Sequence, residues 1–248
     1  MIRSREEIAK MRRAGRVVAE IHEKTRAMIR PGITTADIDA VARDVLRLRN
    51  ARSNFLNYHG FPATVCTSPN SMIVHGIPDD TVLNDGDIIS VDAGAIIEGY
   101  HGDAAYTVGV GEISEEAARL IEVTEQALWK GIEQMYPGNF LHEIGRAVQN
   151  HAEGAGYSVV REYVGHGIGT AMHESPSVPN YWPGSKGPKM KVGNVFAVEP
   201  MVNVGDWHTR TLDDGWGVVT VDGELSAHFE HTIVIGPDGP EVLTVAEG

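Results

Sequence analysis

Cysteine is nearly absent from this sequence, and its scarcity excludes two kinds of architecture. Cys66 is the single cysteine among 248 residues, so neither an internal disulfide nor a zinc site built from several thiolates can form. The first seven residues, Met-Ile-Arg-Ser-Arg-Glu-Glu, contain no apolar core like that of a signal peptide. We therefore expect a protein of a reducing compartment, the cytoplasm.

Long apolar runs and excess positive charge are missing as well. No segment approaches the roughly 18 apolar residues that cross a bilayer, so we expect no membrane partner. Lys and Arg number 21 against 34 Asp and Glu, a formal net charge of −13. This balance disfavours binding to a phosphate backbone, and we expect no direct contact with nucleic acid. The length and the apolar content of 42% suffice for one large domain or two small ones.

Helix caps and periodicity predict two helices followed by strands. Ser4 caps a first helix that ends before Pro31-Gly32, and Thr34 or Thr35 caps a second. Strands follow, bounded by turn residues. The predicted strands are Phe61–Thr67, Asp87–Ile97 and Tyr100–Val110.

The same order of elements then recurs. It begins with a helix that Ser114 caps and that ends at Pro137-Gly138. Four pairs of similar segments occur in the same order in the two parts, which indicates a duplicated half. The pairs are Pro31-Gly32 with Pro137-Gly138, Asp37-Ile38 with Glu143-Ile144, His59-Gly60 with His166-Gly167, and Gly86–Asp92 with Gly193–Glu199. The repeat predicts an α+β fold with two pseudo-twofold-related halves, roughly residues 4–110 and 114–235, in which antiparallel strands form the middle. We interpret Glu174–Lys191, with its four prolines, as an ordered surface loop; a linker is the alternative.

Two aspartates lie on opposite strands of a predicted hairpin. Asp92 and Asp103 are nearly symmetric about a turn at Glu98-Gly99, so they face each other directly or diagonally on one face. Two carboxylates about 5 Å apart destabilise a half-buried ladder unless one is protonated or a cation lies between them. The alternative is a solvated hairpin face that carries two unrelated aspartates.

Further acids and histidines interrupt apolar segments. Glu199 ends an apolar run, Glu230 and His231 interrupt a predicted strand from Phe229 to Ile235, and His166 lies between two glycines. A charged carboxylate in a buried strand needs a partner, whereas a lone histidine such as His75 is more often a satisfied core residue. Four carboxylates with one imidazole match a site for two divalent cations, which can share a hydroxide and clamp a tetrahedral intermediate.

The complete set of motifs resembles the type I methionine aminopeptidases, in the short form found in bacteria. The matching motifs are Tyr58–Pro62, Val74–Pro78, Gly86–Asp92, His101–Asp103, Gly165–Gly169, Glu199-Pro200 and Ser226–His231. The resemblance implies the pita-bread fold, a curved antiparallel sheet in two related halves with helices on its outer face. We therefore expect a single catalytic domain over residues 1–248, without the N-terminal extension of longer members.

The resemblance also implies a role for each matching residue. Two divalent ions, of Co, Mn, Fe or Zn, would be held by five side chains, with Asp103 and Glu230 contacting both ions. These ligands are Asp92, Asp103, His166, Glu199 and Glu230. Glu199 would accept a proton from the bridging water, His173 would stabilise the oxyanion and His75 would contact the scissile nitrogen.

The implied reaction removes the N-terminal methionine from nascent polypeptides, at the ribosome, when the second residue is small. The metal nearer Asp92 would hold the free amine, and we expect the enzyme to be a monomer. Rings and sulfurs suit a thioether side chain. The implied substrate-binding residues are Tyr58, Phe61, Cys66, His75, Met172, His173 and Trp216. Met172 and Phe61 stand where relatives often carry Phe and Tyr, and Phe55 stands where Cys is frequent.

Two other functions use the same fold. Xaa-Pro aminopeptidases and prolidases usually carry a large additional N-terminal domain, for which 248 residues leave no room. Non-catalytic pita-bread domains bind protein or RNA and typically lose metal ligands, whereas this sequence keeps all five ligands and both histidines. An active methionine aminopeptidase is therefore the preferred hypothesis.

Overall fold

The computed structural model describes residues 1–246 and contains four α-helices in that range. They are α1 (Arg5–Met28), α2 (Thr35–Leu48), α3 (Glu115–Ile132) and α4 (Glu143–Gly154). Within the described residues, no helix combines the length and apolar character needed to cross a membrane.

Three of the four helices in the described residues, α1, α2 and α3, begin at capping side chains. Ser4 and Glu7 form a reciprocal capping box at α1, in which each side chain accepts from the backbone N–H of the other. Thr34, rather than Thr35, caps α2. Ser114 caps α3 through its side chain, so local side-chain chemistry locates these N-termini to within one residue.

The end of α3 was predicted wrongly. The helix stops at Ile132 and not at Pro137-Gly138, because the next amides form shorter-range bonds, such as Met135 N–H to the carbonyl of Ile132 at 2.9 Å. Met135 is fully buried, and the turn directs it into the core. Because Met135 is apolar and lies close to the helical spacing of α3, the sequence pattern does not indicate this change of direction.

Fifteen antiparallel strands and one 3₁₀ turn, Tyr58–Gly60, complete the described residues. The strands are β1 (Arg52–Ser53), β2 (Val65–Pro69), β3 (Met72–Val74), β4 (Ile88–Ile97), β5 (Tyr100–Gly109), β6 (Ser158–Val159), β7 (Gly165–Gly167), β8 (Glu174–Val178), β9 (Val195–Val198), β10 (Met201–Asn203), β11 (Thr209–Thr211), β12 (Val218–Thr220), β13 (Ser226–His228), β14 (His231–Ile235) and β15 (Pro240–Val242). The larger sheets have β4 between β5 and the short β1 and β2, and the order β15-β14-β9-β7-β8.

The hairpin β4–β5 is the longest paired unit. Its turn is the predicted Glu98-Gly99, where both residues have positive φ (51° and 80°), as a type I′ turn requires. Ten consecutive pairs run from Ile97↔Tyr100 to Ile88↔Gly109. The predicted ends of both strands are therefore correct to within one residue.

The two halves meet where β5 lies beside Glu230. Ala105 and Glu230 exchange backbone hydrogen bonds of 3.2 and 2.9 Å. Two residues further on, the hydroxyl of Thr232 replaces the backbone, since it accepts from Asp103 N–H (3.0 Å) and donates to the Asp103 carbonyl (2.8 Å). This junction places an acid of the first half next to an acid of the second.

Two other predicted boundaries were wrong. The strand predicted from Phe61 begins at Val65, because Pro62 lacks an N–H and Thr64 N–H donates to the Asp39 carboxylate (2.7 Å) and not to a neighbouring strand. The predicted loop from Glu174 begins instead with strand β8, which pairs with β7. Since β8 is an edge strand, its proline is tolerated there.

Candidate active site

The predicted site residues line a single cavity of about 130 Å³. They come from strands, strand ends and loops of both halves. The lining residues are Phe55, Tyr58, Phe61, Cys66, His75, Asp92, Asp103, His166, Met172, His173, Glu199, Trp216 and Glu230. The structure thus gathers every residue that the sequence analysis proposed for the site, together with Phe55.

The first half contributes two carboxylates from one ladder. Asp92 on β4 is opposite Ala105, and Asp103 on β5 is opposite Gly94. The two aspartates therefore share one face of the hairpin and are diagonal neighbours, which was one of the two predicted arrangements.

The second half contributes His166, Glu199 and Glu230 from three chain segments. His166 is in the middle of β7, Glu199 directly follows β9, and Glu230 directly precedes β14. His166 Nε2 lies 3.4 Å from Glu199 Oε1. Ligand atoms of Asp103, His166 and Glu230 lie within 4.8 Å of one another, so groups from both halves can contact the same ion.

The chemistry of these side chains fits a divalent metal. Asp92 Oδ1, Asp103 Oδ1 and Glu230 Oε1 are buried without a hydrogen-bond partner among the described residues, and neither Lys nor Arg lines the cavity. His166 Nδ1 donates to the Gly167 carbonyl at 3.0 Å, which leaves a lone pair on Nε2. Orphaned carboxylate oxygens beside a free imidazole lone pair match what a cation of intermediate hardness needs.

The enclosure of these groups changes their acidity. Burial raises the pKa of Asp92 to about 8. Burial and the neighbouring carboxylates also raise the pKa values of Asp103, Glu199 and Glu230. Burial, with His173 nearby, lowers the pKa of His166 to about 4. Without a cation the cavity therefore favours protonated carboxyls and a neutral imidazole, and metal ions compete with those protons.

Two further histidines, His75 and His173, line the cavity. His75 follows β3 and has φ of 62°, a conformation that is unfavourable for a residue with a side chain and recurs at functional sites. Burial lowers its pKa to about 4. The Nδ1 atom of His173 lies 2.8 Å from Tyr58 Oη, and its ring centroid lies 4.3 Å from that of His166.

An apolar pocket adjoins the carboxylates. Phe55, Phe61, Cys66 and Met172 are buried together, and Trp216 packs edge-on against Phe61 at 5.1 Å between ring centroids. Burial raises the pKa of the Cys66 thiol, so it is no nucleophile at neutral pH. These side chains form a wall of rings and sulfurs.

Sequence reasoning missed the residues that support the site from behind. Asn54 Nδ2 donates to the carbonyl of Gly102 at 3.0 Å, and Asn54 Oδ1 lies 3.0 Å from His101 Nδ1. Thr232 holds the backbone of Asp103 as described above. No pattern around Asn54 distinguishes it from a turn residue, and a threonine in a strand is ordinary.

Comparison with known proteins agrees with this geometry. Residues 9–237 match the model of metallopeptidase family M24. The methionine aminopeptidase of Clostridium acetobutylicum is 50% identical over 248 residues, which cover 100% of this chain and 99% of that protein. The crystal structure of methionine aminopeptidase from Thermotoga maritima has a TM-score of 0.97 and 41% identity, covering 99% of this chain and 100% of that one.

A more distant structure shares only the fold. The X-Pro aminopeptidase of Thermotoga maritima has a TM-score of 0.78 at 22% identity, and the match covers 100% of this chain but 63% of that one. These likenesses confirm the α+β pita-bread fold. The chain belongs to metallopeptidase family M24, among its methionine aminopeptidases, and is a metal-dependent hydrolase.

Proposed function

We propose that this protein removes the N-terminal methionine from polypeptides whose second residue is small. One observation carries the proposal: a cluster of unpaired buried carboxylates and a free imidazole lone pair directly adjoins a pocket of rings and sulfurs. The first part suits metal-assisted hydrolysis and the second suits a thioether side chain.

We propose two divalent ions per chain, of Co, Mn, Fe or Zn. Five acceptor side chains from both halves support that number, because they offer more ligand atoms than one ion of this kind uses. Asp92, Asp103, His166, Glu199 and Glu230 would hold the ions. When bound, such ions lower the pKa of a coordinated water and polarise a peptide carbonyl.

The protein's own groups would handle protons and developing charge. Glu199, whose pKa is raised by burial and by Asp92, would accept the proton of the attacking water. With Tyr58 O–H donating to Nδ1 of His173 (2.8 Å), His173 Nε2–H is free to donate to the oxyanion that forms on the first peptide carbonyl. His75, neutral at pH 7 because burial lowers its pKa, would contact the scissile nitrogen.

The apolar pocket would hold the methionine side chain. The pocket forms the apolar side of the cavity, next to the carboxylates. Met172 and Cys66 bring sulfur, and Phe61 and Trp216 bring ring edges, to a chain without branches or charge. A lysine or aspartate in this pocket would be buried unpaired.

The cellular setting is also part of the proposal. We propose a monomeric, single-domain cytoplasmic enzyme that acts on nascent polypeptides at the ribosome without binding nucleic acid itself. The single cysteine and the formal net charge of −13 support a reducing compartment and argue against a primary affinity for nucleic acid.

Peptide hydrolysis with controlled metal content tests the proposal. The substrates are a Met-Xaa-Gly series together with peptides that begin with norleucine, Leu, Lys or Ala. We expect chelation to abolish turnover, a divalent cation to restore it, and norleucine to be disfavoured by only about 1–3 kcal/mol in transition-state binding, since it is nearly isosteric with methionine. Full turnover after verified demetallation, or a preference for Lys or Ala first, would overturn the proposal.

A further inference from the structure

The N-terminal segment, residues 1–3, is fixed to a turn distant in sequence. Arg3 N–H donates to the Gly193 carbonyl at 2.8 Å, Asn194 Nδ2 donates to the Met1 carbonyl at 3.0 Å, and Ile2 forms a bridge with Asn194. The next residue, Ser4, is already the cap of α1. The backbone of Arg3 is therefore held on both sides, and its side chain extends inward from a fixed point.

The guanidinium of Arg3 is buried against an acid and a glycine. Only 3% of the side chain is exposed, Nη2 forms an ion pair with Glu174 Oε2, and Nη1 lies 3.8 Å from Glu7 Oε1. The guanidinium also occupies the place that a Cβ on Gly169 would take. A buried cation without its acid is strongly destabilising, so Arg3 and Glu174 depend on each other.

Glu174 uses its second oxygen to hold a loop, residues 169–173. Glu174 Oε1 accepts from the N–H groups of Thr170 (2.9 Å) and Ala171 (3.1 Å). Burial acts to raise the pKa of Glu174, yet that pKa lies below its usual value because the N–H of Ala171 and the charge of Arg3 stabilise the carboxylate. One carboxylate thus joins the N-terminal segment to the loop.

That loop presents two residues of the candidate active site. Met172 is 4% exposed and closes one side of the apolar pocket, and His173 directly precedes Glu174. The His173 ring is also in contact with Tyr58, whose Oη lies 2.8 Å from Nδ1. The position of His173 therefore depends on Tyr58 through its side chain and on Glu174 through its backbone.

We infer that Arg3 is a positioning residue for the reaction: through Glu174 it holds the loop 169–173 so that His173 and Met172 face the cavity. Arg3 is not among the cavity-lining residues and acts only through this contact. The inference rests on the proposed function, because it takes His173 as the donor to the oxyanion.

The first test compares Arg3→Met and Glu174→Gln with the wild-type enzyme on Met-Ala-Gly. We expect kcat to fall by about 10- to 100-fold with a small change in KM, because the contact made by His173 is formed only in the transition state. Arg3→Lys, which keeps the charge, should recover part of the loss. Arg12→Met is the matched control: it removes an exposed ion pair between α1 and Glu241 of β15 and should leave kcat unchanged.

The second test separates positioning from general loosening. In a His173→Ala background, Arg3→Met should cause no further loss of kcat, whereas a general loss of rigidity would multiply the two effects. Hydrogen exchange should accelerate at Thr170 and Ala171 in Arg3→Met and Glu174→Gln. If Arg3→Met does not fold, Glu174→Gln, which preserves side-chain volume, is used for both the kinetics in the His173→Ala background and the hydrogen exchange.

The outcomes distinguish this inference from the proposed function. Wild-type kcat in Arg3→Met and Glu174→Gln, or losses that multiply with His173→Ala, would overturn the role of Arg3. A wild-type enzyme that, fully loaded with metal, hydrolyses no Met-led peptide would overturn the proposed function instead. In that case the exchange rates of Thr170 and Ala171 still show whether Arg3 holds the loop.

Discussion

The two halves of the molecule place their carboxylates in different ways. In the first half, Asp92 and Asp103 lie within a continuous ladder of ten residue pairs. In the second half, Glu199 lies between β9 and β10, and Glu230 lies between β13 and β14, where strands are interrupted. Pro200 follows Glu199 and cannot donate to a ladder.

The difference shows that the two halves supply their ligands from two kinds of position. A short acid on an intact strand is positioned by backbone pairing. A longer acid at a strand interruption depends on neighbouring groups, such as His166 for Glu199 and the backbone of Ala105 for Glu230. We therefore expect substitutions in the second half mainly to lower kcat, and substitutions in the hairpin mainly to lower the stability of the fold.

The largest effect is expected from Glu199→Gln. The substitution keeps the shape of the side chain but removes a ligand and the proposed proton acceptor, so kcat should fall by several orders of magnitude while the fold persists. Steady-state kinetics, metal analysis and circular dichroism check this. Glu224→Gln, at an exposed glutamate of the same half, should behave as wild type. A metal-loaded Glu199→Gln variant with normal kcat would exclude Glu199 as the base.

The next effect concerns His173. Removal of one donor to an oxyanion lowers kcat by roughly 10²–10³-fold, and we expect this of His173→Ala. Tyr58→Phe, which removes the hydroxyl at Nδ1, should lower kcat by about tenfold, the scale of one neutral hydrogen bond. His208→Ala, at an exposed histidine paired with Asp206, is the control. Unchanged kcat/KM in His173→Ala would remove the histidine from the mechanism.

The features that can be predicted from sequence are those that local rules determine, as in the hairpin, whereas features that depend on tertiary contacts cannot. The arrangement of Asp92 and Asp103 follows from a two-residue turn and a period of two, both of which are local rules. The start of β2 and the end of α3 depend on Asp39 and on the burial of Met135, which are tertiary facts. The contact between Arg3 and Glu174 joins residues 171 positions apart, and the periodicity of a sequence cannot indicate such a contact.

A smaller effect is expected on the stability of the metal-free protein. Burial raises the pKa of Asp92 from 3.8 to about 8, and the pKa values of Asp103, Glu199 and Glu230 also rise. Between those two pH values these four carboxyls bind more protons in the folded, metal-free protein than in the unfolded chain, which lowers stability as the pH rises. Buried histidines such as His75 and His166, whose pKa values are lowered to about 4, act in the opposite direction below their unfolded pKa of about 6.5. The fall in stability should therefore be clearest between about pH 6.5 and about pH 8. Bound metal replaces the protons and should flatten this dependence.

Melting temperatures at pH 5, 6.5 and 8, with and without a saturating divalent cation, measure the difference. The net charge of the remaining surface is common to both series and cancels in the comparison. If the metal-free and metal-loaded proteins lost stability in parallel, the buried carboxyls would not be the groups that titrate on unfolding.

The smallest effect separates the turn of the first half from a helix end of the second. Gly99 has a positive φ and open space around an added Cβ, so Gly99→Ala should destabilise the protein by about 1 kcal/mol through backbone conformation alone. Gly154, at the end of α4, also has open space but no positive φ. Gly154→Ala should therefore stabilise by roughly 0.5–1 kcal/mol. Urea unfolding measures both changes.

The same variant, Gly99→Ala, tests what positions the two aspartates. Because nine further pairs hold the hairpin beyond the pair next to its turn, a local penalty at the turn leaves the ladder intact, and kcat/KM of Gly99→Ala should stay within about twofold of wild type. A tenfold loss of activity in Gly99→Ala would mean that the turn, and not the ladder, positions Asp92 and Asp103, and the contrast between the two halves would fail.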